Sequence, residues 1–342
     1  MATIREVAAI AGVSRSTVSL VLNDSPLVKA ETREKVLEVI RELNYVPNNS
    51  ARSLSSKVTK ALGIVVLSEH AAPDCYDMKY ETGLYSRDIQ TGISSRLANT
   101  DYSLIVEHYD TSQPDYPLPK VMQGNKVDGV FMVGGFYSRE LHRKMKQSGI
   151  PFVIIGGQEE DNDCVWADSG EGAYLGFKYL TENGYKNICY LNCPANFASN
   201  RTRLRGIERF VRESGFDFNW DWLIDCEKNN GEGGYLAMKA LWEKGVRPDG
   251  MLSANSPIAM GAVKFLYEQG VAIPRDTAVV AYEDNILCAY TVPALTSINI
   301  RKEYMGKKAA DLLLERLVVP EKAYEAVRVE PYLVERDSVC KR

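Results

Sequence analysis

Residues 3–23 read TIREVAAIAGVSRSTVSLVLN and contain two short helical patterns of apolar residues. Thr3 is a residue type that caps helix N-termini, and the pattern behind it stops at Gly12, which tolerates a left-handed backbone. Ser14 is a second capping residue, and the helix predicted after it spans Arg15–Leu22. Two short helices joined by a glycine-containing corner predict a helix-turn-helix unit.

A third helical pattern, from about Ala30 to Leu43, completes this unit. Its apolar face is predicted to hold Val36, Leu37, Ile40 and Leu43. Because none of the three helices is long enough to be stable alone, they must bury one another's apolar residues. The second helix then directs small hydroxyls and one arginine outward, which suits contact with bases and phosphates better than the Glu/Lys mixture of a solvated face. This pattern favours DNA binding over a generic three-helix bundle.

Charge is distributed unevenly along the 342 residues, whose formal net charge is −4. Residues 1–60 carry nine Lys/Arg against six Asp/Glu, and the remainder carries 32 against 39. A basic N-terminal head on an acidic body fits a phosphate-facing module attached to a domain that need not touch nucleic acid.

Three segments together resemble the LacI/GalR (lactose repressor) family: residues 3–23, the run ETREKV at 31–36 and the run LNYVPN at 43–48. By that resemblance Arg15, Ser16 and Leu20 occupy base-reading positions, and Ser14, Thr17, Ser19 and Asn23 hold or flank the sugar-phosphate backbone. The predicted DNA-binding set also includes Thr3, Ile4, Asn48, Ala51 and Leu54. Leu20 departs from the arginine usual in the family, so we expect apolar contact there, such as with a thymine methyl group.

Residues 47–59 are predicted to be a hinge between a helix-turn-helix domain, 1–46, and a body, 60–342. A flexible linker is one interpretation, since one or two helical turns cannot persist alone in water. The resemblance implies instead that the segment becomes a short helix on operator DNA, paired with its copy from a second subunit. Leu54 would then act as a minor-groove wedge between base steps.

Beyond residue 60, short apolar strands alternate with helices, which predicts parallel sheets covered on both faces. Predicted strands include residues 61–67, 103–107, 129–133, 152–156, 188–191, 223–226, 250–253 and 278–282, with a final strand at 327–334. The segment beginning Val127-Asp-Gly is echoed by the segment beginning Pro248-Asp-Gly, which indicates two similar halves. The predicted fold is therefore an all-α headpiece plus an α/β periplasmic-binding-protein-like body of two Rossmann-like subdomains with a ligand cleft between them.

The body resembles the family's regulatory domain, and the resemblance implies an effector site. Arg203 begins an R-L-x-G motif, Asn255 belongs to an A-N-D motif in which Ser256 replaces Asp, and Glu283 ends the strand VVAYED where Asp is usual. Tyr85 and Asn229 match positions where aromatic pocket walls are common, and Trp166 could stack on a sugar. These donors, acceptors and rings make a neutral carbohydrate the first choice of effector; a purine or nucleoside is second and a phosphorylated sugar third.

Other classes of protein fit less well. An exported sugar-binding protein would need a signal peptide and would lack residues 1–57, and a Rossmann oxidoreductase would need G-x-G-x-x-G directly after the first strand. Seven scattered cysteines without a C-x-x-C pair and three isolated histidines predict neither disulfides nor a metal site. We therefore expect a cytoplasmic, homodimeric regulator that is not an enzyme, has no cofactor and does not enter a membrane; its partners are palindromic operator DNA and a small molecule.

Overall fold

A computed structural model describes residues 2–22, 24–45, 58–68, 76–111, 115–134, 138–195 and 197–342. For residues 68, 76–83 and 198 the backbone alone is described. The chain divides into two compact units, Met1–Thr59 and Lys60–Arg342.

The first unit is a three-helix head: α1 is Ile4–Ala11, α2 is Arg15–Leu22 and α3 is Ala30–Glu42. Gly12 has a φ of 66°, the left-handed conformation that turns the chain from α1 toward α2. The buried core consists of Val7, Ala8, Ala11, Val18, Val21, Val36 and Val39. One predicted core position is wrong: Leu37 is 39% exposed, because α3 turns Val36 and Val39 inward and carries Leu37 around its outer side.

The second unit contains twelve described strands and seven described α-helices. The strands are β1 Ala61–Ser68, β2 Ser103–Asp110, β3 Gly129–Val133, β4 Phe152–Ile155, β5 Cys164–Ala167, β6 Ile188–Asn192, β7 Leu223–Asp225, β8 Gly250–Ser253, β9 Ala278–Tyr282, β10 Thr296–Asn299, β11 Ala326–Val329 and β12 Tyr332–Val334. The helices are α4 Tyr76–Leu97, α5 Arg139–Gln147, α6 Ser169–Glu182, α7 Ala198–Ser214, α8 Gly231–Glu243, α9 Ser256–Glu268 and α10 Lys302–Val318.

The strands form two six-stranded sheets with the same arrangement. Their orders are β11-β5-β4-β3-β1-β2 and β12-β10-β9-β8-β6-β7, so each strand of one sheet has a counterpart in the other. The repeated Asp-Gly marks equivalent places: Asp128 accepts a hydrogen bond from the Lys60 amide at 2.9 Å, and Asp249 accepts one from the Asn187 amide at 2.8 Å. Each aspartate thus joins its own strand to the start of the neighbouring strand, which is why the motif recurs.

The chain crosses between the sheets three times, after β5, after β10 and after β11. Two contacts join these crossings to one another. Asp168 in the first crossing forms an ion pair of 2.7 Å with Arg328, which lies just before the third. The guanidinium of Arg301 in the second crossing lies 5.0 Å from the ring centre of Tyr332, which lies just after the third. The single final strand predicted at 327–334 is wrong, because this segment contributes β11 to one sheet and the antiparallel β12 to the other. Pro331, which lacks an amide donor, lies at the break.

Helices cover the two sheets separately. The core of the first half includes residues of α4 and α10, and that of the second half includes residues of α6, α7, α8 and α9. Where α4 meets α10, Gly92 faces the Glu303 carbonyl and Gly306 faces the Ile89 carbonyl so closely that any Cβ would overlap these atoms. This contact sets the position of α4, whose Tyr85 packs against the cores of both halves. Among the described residues, no helix is both long and apolar enough to cross a membrane.

We predict that Gly92→Ala destabilises the protein although alanine favours helix. Overpacking against the Glu303 carbonyl should lower the free energy of unfolding by roughly 1–3 kcal/mol. The matched control is Thr91→Ala on the exposed side of α4, which should change it by less than about 0.5 kcal/mol. Urea denaturation followed by tryptophan fluorescence measures both, because all four tryptophans belong to the second unit. Equal stability of the two variants would contradict the close helix contact.

Candidate functional site

Helix α2 presents one polar surface to solvent. Its start is fixed by Ser14, whose hydroxyl accepts from the Thr17 amide at 3.0 Å and lies 2.9 Å from the Thr17 hydroxyl. Arg15 and Ser16 are exposed, and Leu20 on the next turn is 37% exposed. Ser19 is partly exposed. The predicted base-reading residues therefore share the surface opposite the buried face of α2.

The remaining predicted DNA-binding residues divide into two groups. Thr3 and Ile4 stabilise the head: the Thr3 hydroxyl accepts from the Glu6 amide at 3.4 Å, the Glu6 carboxylate accepts from the Thr3 amide at 2.7 Å, and Ile4 packs against the core. Asn23, Asn48, Ala51 and Leu54 lie outside the described residues, as does most of the predicted hinge.

In the body, the side chain of Arg203 lies almost entirely out of solvent. It is 6% exposed, and its Nη1 donates to the Ser199 hydroxyl at 2.8 Å and to the Cys193 sulfur at 3.4 Å. The guanidinium lies 4.8 Å from the centre of the Tyr282 ring, and its Nε has no hydrogen-bond partner in the described part of the chain. A buried donor in this state is prepared to bind an acceptor from a ligand.

A glycine explains how Arg203 reaches this position. Gly206, three residues farther along α7, packs directly against the backbone of Gly170 in α6, where a Cβ would overlap the Gly170 carbonyl. The close approach of the two helices directs the preceding turn of α7, with Arg203, against Tyr282 at the end of β9. The R-L-x-G motif thus combines a charged side chain with the glycine that positions it.

Glu283 follows β9 directly and has a φ of 74°, and Asp284 after it has a φ of 45°. Two consecutive left-handed residues other than glycine are strained, and such strain is common at functional sites. Asp284 is held by an ion pair of 2.7 Å to Arg336 and a hydrogen bond of 2.9 Å from Asn299. Burial raises the pKa of the Glu283 carboxyl, although Lys302 and Arg203 nearby oppose that shift.

Tyr85 connects the two halves. Its ring packs against the hydrophobic cores of both halves. Burial is the larger cause and the negative charge of Glu283 the smaller cause that raise the pKa of its hydroxyl well above the ordinary value. The phenol therefore stays protonated and can donate a hydrogen bond. Arg203 also acts on this hydroxyl in the opposite direction, so Tyr85, Glu283 and Arg203 form one electrostatic cluster.

Asn255 and Asn229 form a second pair beside this cluster. The Asn255 amide nitrogen donates to the Asn229 side-chain oxygen at 2.9 Å, while the Asn255 oxygen caps α9 by accepting from the Ile258 amide at 2.8 Å. The adjacent Ser256 hydroxyl donates to the Tyr282 carbonyl at 2.6 Å, which ties the pair to the end of β9. Serine therefore replaces the family's usual aspartate in a buried structural contact.

Trp166 lies apart from these contacts. It is partly buried on β5, packed against the cluster of the first half that contains Met132 and Ile154. Conversely, Lys302 at the start of α10 is not among the predicted site residues. Its side chain is 4% exposed, its Nζ lies 2.7 Å from the Asp88 carboxylate of α4, and its charge acts on Glu283. Its sequence context carries no signal for this placement. In the described residues, no group of His, Cys, Asp and Glu could hold a metal ion.

Comparison with known proteins identifies the family. Residues 3–48 match the family described as "Bacterial regulatory proteins, lacI family", and residues 177–339 match a periplasmic binding protein-like domain. The HTH-type transcriptional repressor PurR of Vibrio vulnificus (strain CMCP6) is 32% identical over 349 residues, which cover 100% of this chain and 99% of that protein. The chain belongs to the LacI family. It is a helix-turn-helix transcriptional regulator.

Solved structures of LacI-type proteins share the whole architecture. A structure titled "transcriptional regulator CelR-cellobiose complex" has a TM-score of 0.72 at 26% identity and covers 99% of this chain and 100% of its own. The lac repressor dimer bound to operator and the anti-inducer ONPF has a TM-score of 0.82 at 24% identity, with 99% of each chain covered. The expected fold, a helix-turn-helix head with a periplasmic-binding-protein-like α/β body, is confirmed.

We predict that Glu283→Gln stabilises the LacI-type body at neutral pH and that the gain disappears in acid. Because the pKa of Glu283 is higher in the folded state, the cost of its ionised form is present above that pKa and is lost as the pH falls toward the unfolded value of about 4.3. Urea denaturation followed by tryptophan fluorescence between pH 8 and 4.5 measures the difference from wild type.

The control for this prediction is Glu208→Gln, on the exposed side of α7, which should show little difference at any pH. A Glu283→Gln variant that is less stable than wild type at pH 8, or whose gain does not change with pH, would show that Glu283 carries no burial cost.

Proposed function

We propose that this regulator binds a palindromic operator in double-stranded DNA as a homodimer and that a small molecule, first of all a carbohydrate, controls this binding in the cytoplasm. The observation that carries the proposal is that Tyr85, Glu283 and Arg203, which come from both halves of the body, act on one another electrostatically. The same chain exposes the polar surface of α2 in its N-terminal head. No catalytic role is assigned to these residues, and no cofactor is required.

Direct base contact by α2 is supported by the side chains that it exposes. Arg15 can donate to guanine or phosphate, Ser16 can donate or accept, and Leu20 offers an apolar group of the size that contacts a thymine methyl. Domain limits of 1–46 and 60–342, with a hinge at 47–59, remain part of the proposal. So does the wedge function of Leu54 in that hinge.

A homodimer is supported by an exposed apolar surface on the second half of the body. Ile286, Leu287, Tyr290 and Val292, in the segment after β9, are 59%, 44%, 77% and 94% exposed. Several large apolar side chains exposed within one short segment are typical of protein interfaces. Because the segment follows Glu283 directly, an interface there would connect the effector site of one subunit to its partner.

A carbohydrate is supported by the chemistry of the cluster. A guanidinium, a carboxylate, a tyrosine hydroxyl and side-chain amides supply donors and acceptors for vicinal hydroxyl groups, and the tyrosine rings can pack against a sugar face. The similar regulator CelR is in complex with cellobiose.

A purine or nucleoside is the second candidate, favoured by the name PurR of relatives such as the Vibrio vulnificus repressor. Asn255 and Asn229 could bind a base edge through their amides, and Tyr85 could stack on the ring. The same two amides could bind the hydroxyl groups of a sugar, so they do not distinguish the two candidates. The two candidates are distinguished by direct binding.

We predict that Leu20→Ala changes base preference. Loss of the apolar contact should reduce discrimination at one position of each half-site by about 1–3 kcal/mol, measured by selection of the full-length protein on randomised duplexes. The matched control is Leu27→Ala, since Leu27 is 84% exposed in the head but lies outside α2. A Leu20→Ala variant that selects the wild-type sequence would exclude base contact by Leu20.

We predict that a carbohydrate binds the full-length protein and changes its affinity for the selected operator, and that Arg203→Met removes this binding. Calorimetry with panels of sugars and of purines and nucleosides identifies the class, and operator titration with and without the bound compound measures the change. Arg205→Met, on the exposed side of α7, is the control and should bind normally. Binding of purines alone would replace the carbohydrate assignment with the second candidate.

A further inference from the structure

Two buried amides hold the carboxylate of Asp225 at the end of β7. Asn192 and Asn200 are 0% and 2% exposed, and the side-chain nitrogen of each donates to Oδ1 of Asp225, at 3.1 Å and 2.8 Å. Asp225 itself is exposed, and no residue in the described part of the chain donates a hydrogen bond to its other oxygen, Oδ2. The carboxylate is therefore positioned by the protein through one oxygen and open to a ligand at the other.

The same two amides connect Asp225 to the arginine of the effector cluster. Asn192 Oδ1 accepts from the Cys193 amide at 3.0 Å, and Asn200 also donates to the Cys193 carbonyl at 2.7 Å. The sulfur of Cys193 in turn accepts from Arg203 Nη1 at 3.4 Å. Asp225 and Arg203 thus belong to one hydrogen-bonded group at the same edge of the second sheet.

The strand order places Asp225 at the outer end of a row of polar side chains. Strands β9, β8, β6 and β7 are neighbours in that order, and the side chains at or just after their carboxyl ends are, respectively, Glu283, Asn255, Asn192 and Asp225. Ligands of open parallel sheets bind beyond these strand ends. Three strand intervals of about 4.8 Å give the row a length of roughly 14 Å. The crossing after β10 lies on the opposite side of β9, so Asp225 occupies the end of the row away from it.

One sugar ring is too short to reach both ends of this row. A ring bound between Arg203 and Glu283 leaves Asp225, three strands away from Glu283, without contact. A second ring joined to it along the sheet edge brings further hydroxyl groups to Oδ2 of Asp225. A hydrogen bond from a hydroxyl to an ionised carboxylate is stronger than one between neutral groups, so this contact favours the longer ligand.

We propose, building on the carbohydrate site above, that the effector is a disaccharide and that Asp225 Oδ2 accepts a hydrogen bond from a hydroxyl group of its second ring. The first ring contacts Arg203, Glu283 and Tyr85. Asp225 is then the residue that determines the selectivity for a disaccharide over a monosaccharide.

The test is calorimetry on the full-length protein with disaccharides and their component monosaccharides: cellobiose and maltose with glucose, lactose and melibiose with galactose. At least one disaccharide should bind about 10-fold or more tightly than its monosaccharide, the factor expected for one hydrogen bond to a charged acceptor.

Asp225→Asn separates ligand binding from structural support. The amide oxygen of the variant can still accept from Asn192 and Asn200, but a neutral nitrogen that cannot accept a hydrogen bond replaces Oδ2. The variant should reduce the preference for the disaccharide to less than about threefold. Its affinity for the monosaccharide and its urea midpoint should match those of wild type, whereas a purely structural role of Asp225 would leave the preference unchanged.

Asp221→Asn provides the matched control, because Asp221 is exposed in the turn before β7 and removes the same charge. It should retain the preference for the disaccharide. Tryptophan fluorescence during urea denaturation verifies that both variants fold. If Asp225→Asn does not fold, the comparison of disaccharides with monosaccharides on the wild-type protein still decides whether the effector has two rings.

Several results would overturn the inference. Equal or tighter binding of monosaccharides by wild type, or an unchanged preference in Asp225→Asn, would each exclude the assigned role. Monosaccharides that bind as tightly as any disaccharide and change operator affinity would refute this inference and leave the proposed function intact. Failure of every sugar to bind would refute both this inference and the carbohydrate assignment.

Discussion

The charged side chain of Arg203 lies where little water reaches it, and the residues around it must stabilise that charge. The Tyr282 ring faces the guanidinium, Ser199 and Cys193 accept from one of its nitrogens, and Glu283 supplies an opposite charge that acts on it. The carboxylate reaches this position because the backbone after β9 takes two left-handed residues, which Arg336 and Asn299 stabilise through Asp284. Strain in the backbone and desolvation of charge are both concentrated where a ligand could offset them.

The same cluster contains side chains from both halves of the body. Glu283 and Arg203 belong to the second half, Lys302 and Asp88 to helices of the first, and Tyr85 packs on both cores. A ligand that contacts all of them must bind some arrangements of the halves better than others, which is the condition for an allosteric effect. The segments that connect the halves are joined to one another by the Asp168–Arg328 ion pair and by the contact of Arg301 with Tyr332.

Predictions from the sequence succeeded where the deciding interactions are local. Capping by Thr3 and Ser14, the turn at Gly12 and the apolar spacing in α1 and α2 depend on residues within one or two turns of one another. Eight of the twelve described strands were predicted to within three residues at each end for the same reason, since each is a short apolar run between turn residues, whereas β5 and β10 were not predicted. The errors at Leu37 and at residues 327–334 are of another kind. The apolar residues of α3 fit more than one helix face, and those of residues 327–334 fit either sheet. Only the neighbouring elements decide which face or sheet they join.

The amino-acid sequence by itself determined the helix-turn-helix head and the alternating α/β body, and its R-L-x-G and strand-end motifs predicted Arg203 and Glu283 as members of a site. Each of these is carried by residues close together in the chain. Only the tertiary structure decided that Trp166 packs against the core of the first half and that Lys302 and Asp88 form an ion pair. Asp88 and Lys302 are more than 200 positions apart in the chain, and the burial of a charge depends on what surrounds it in three dimensions, which no local pattern of residues records.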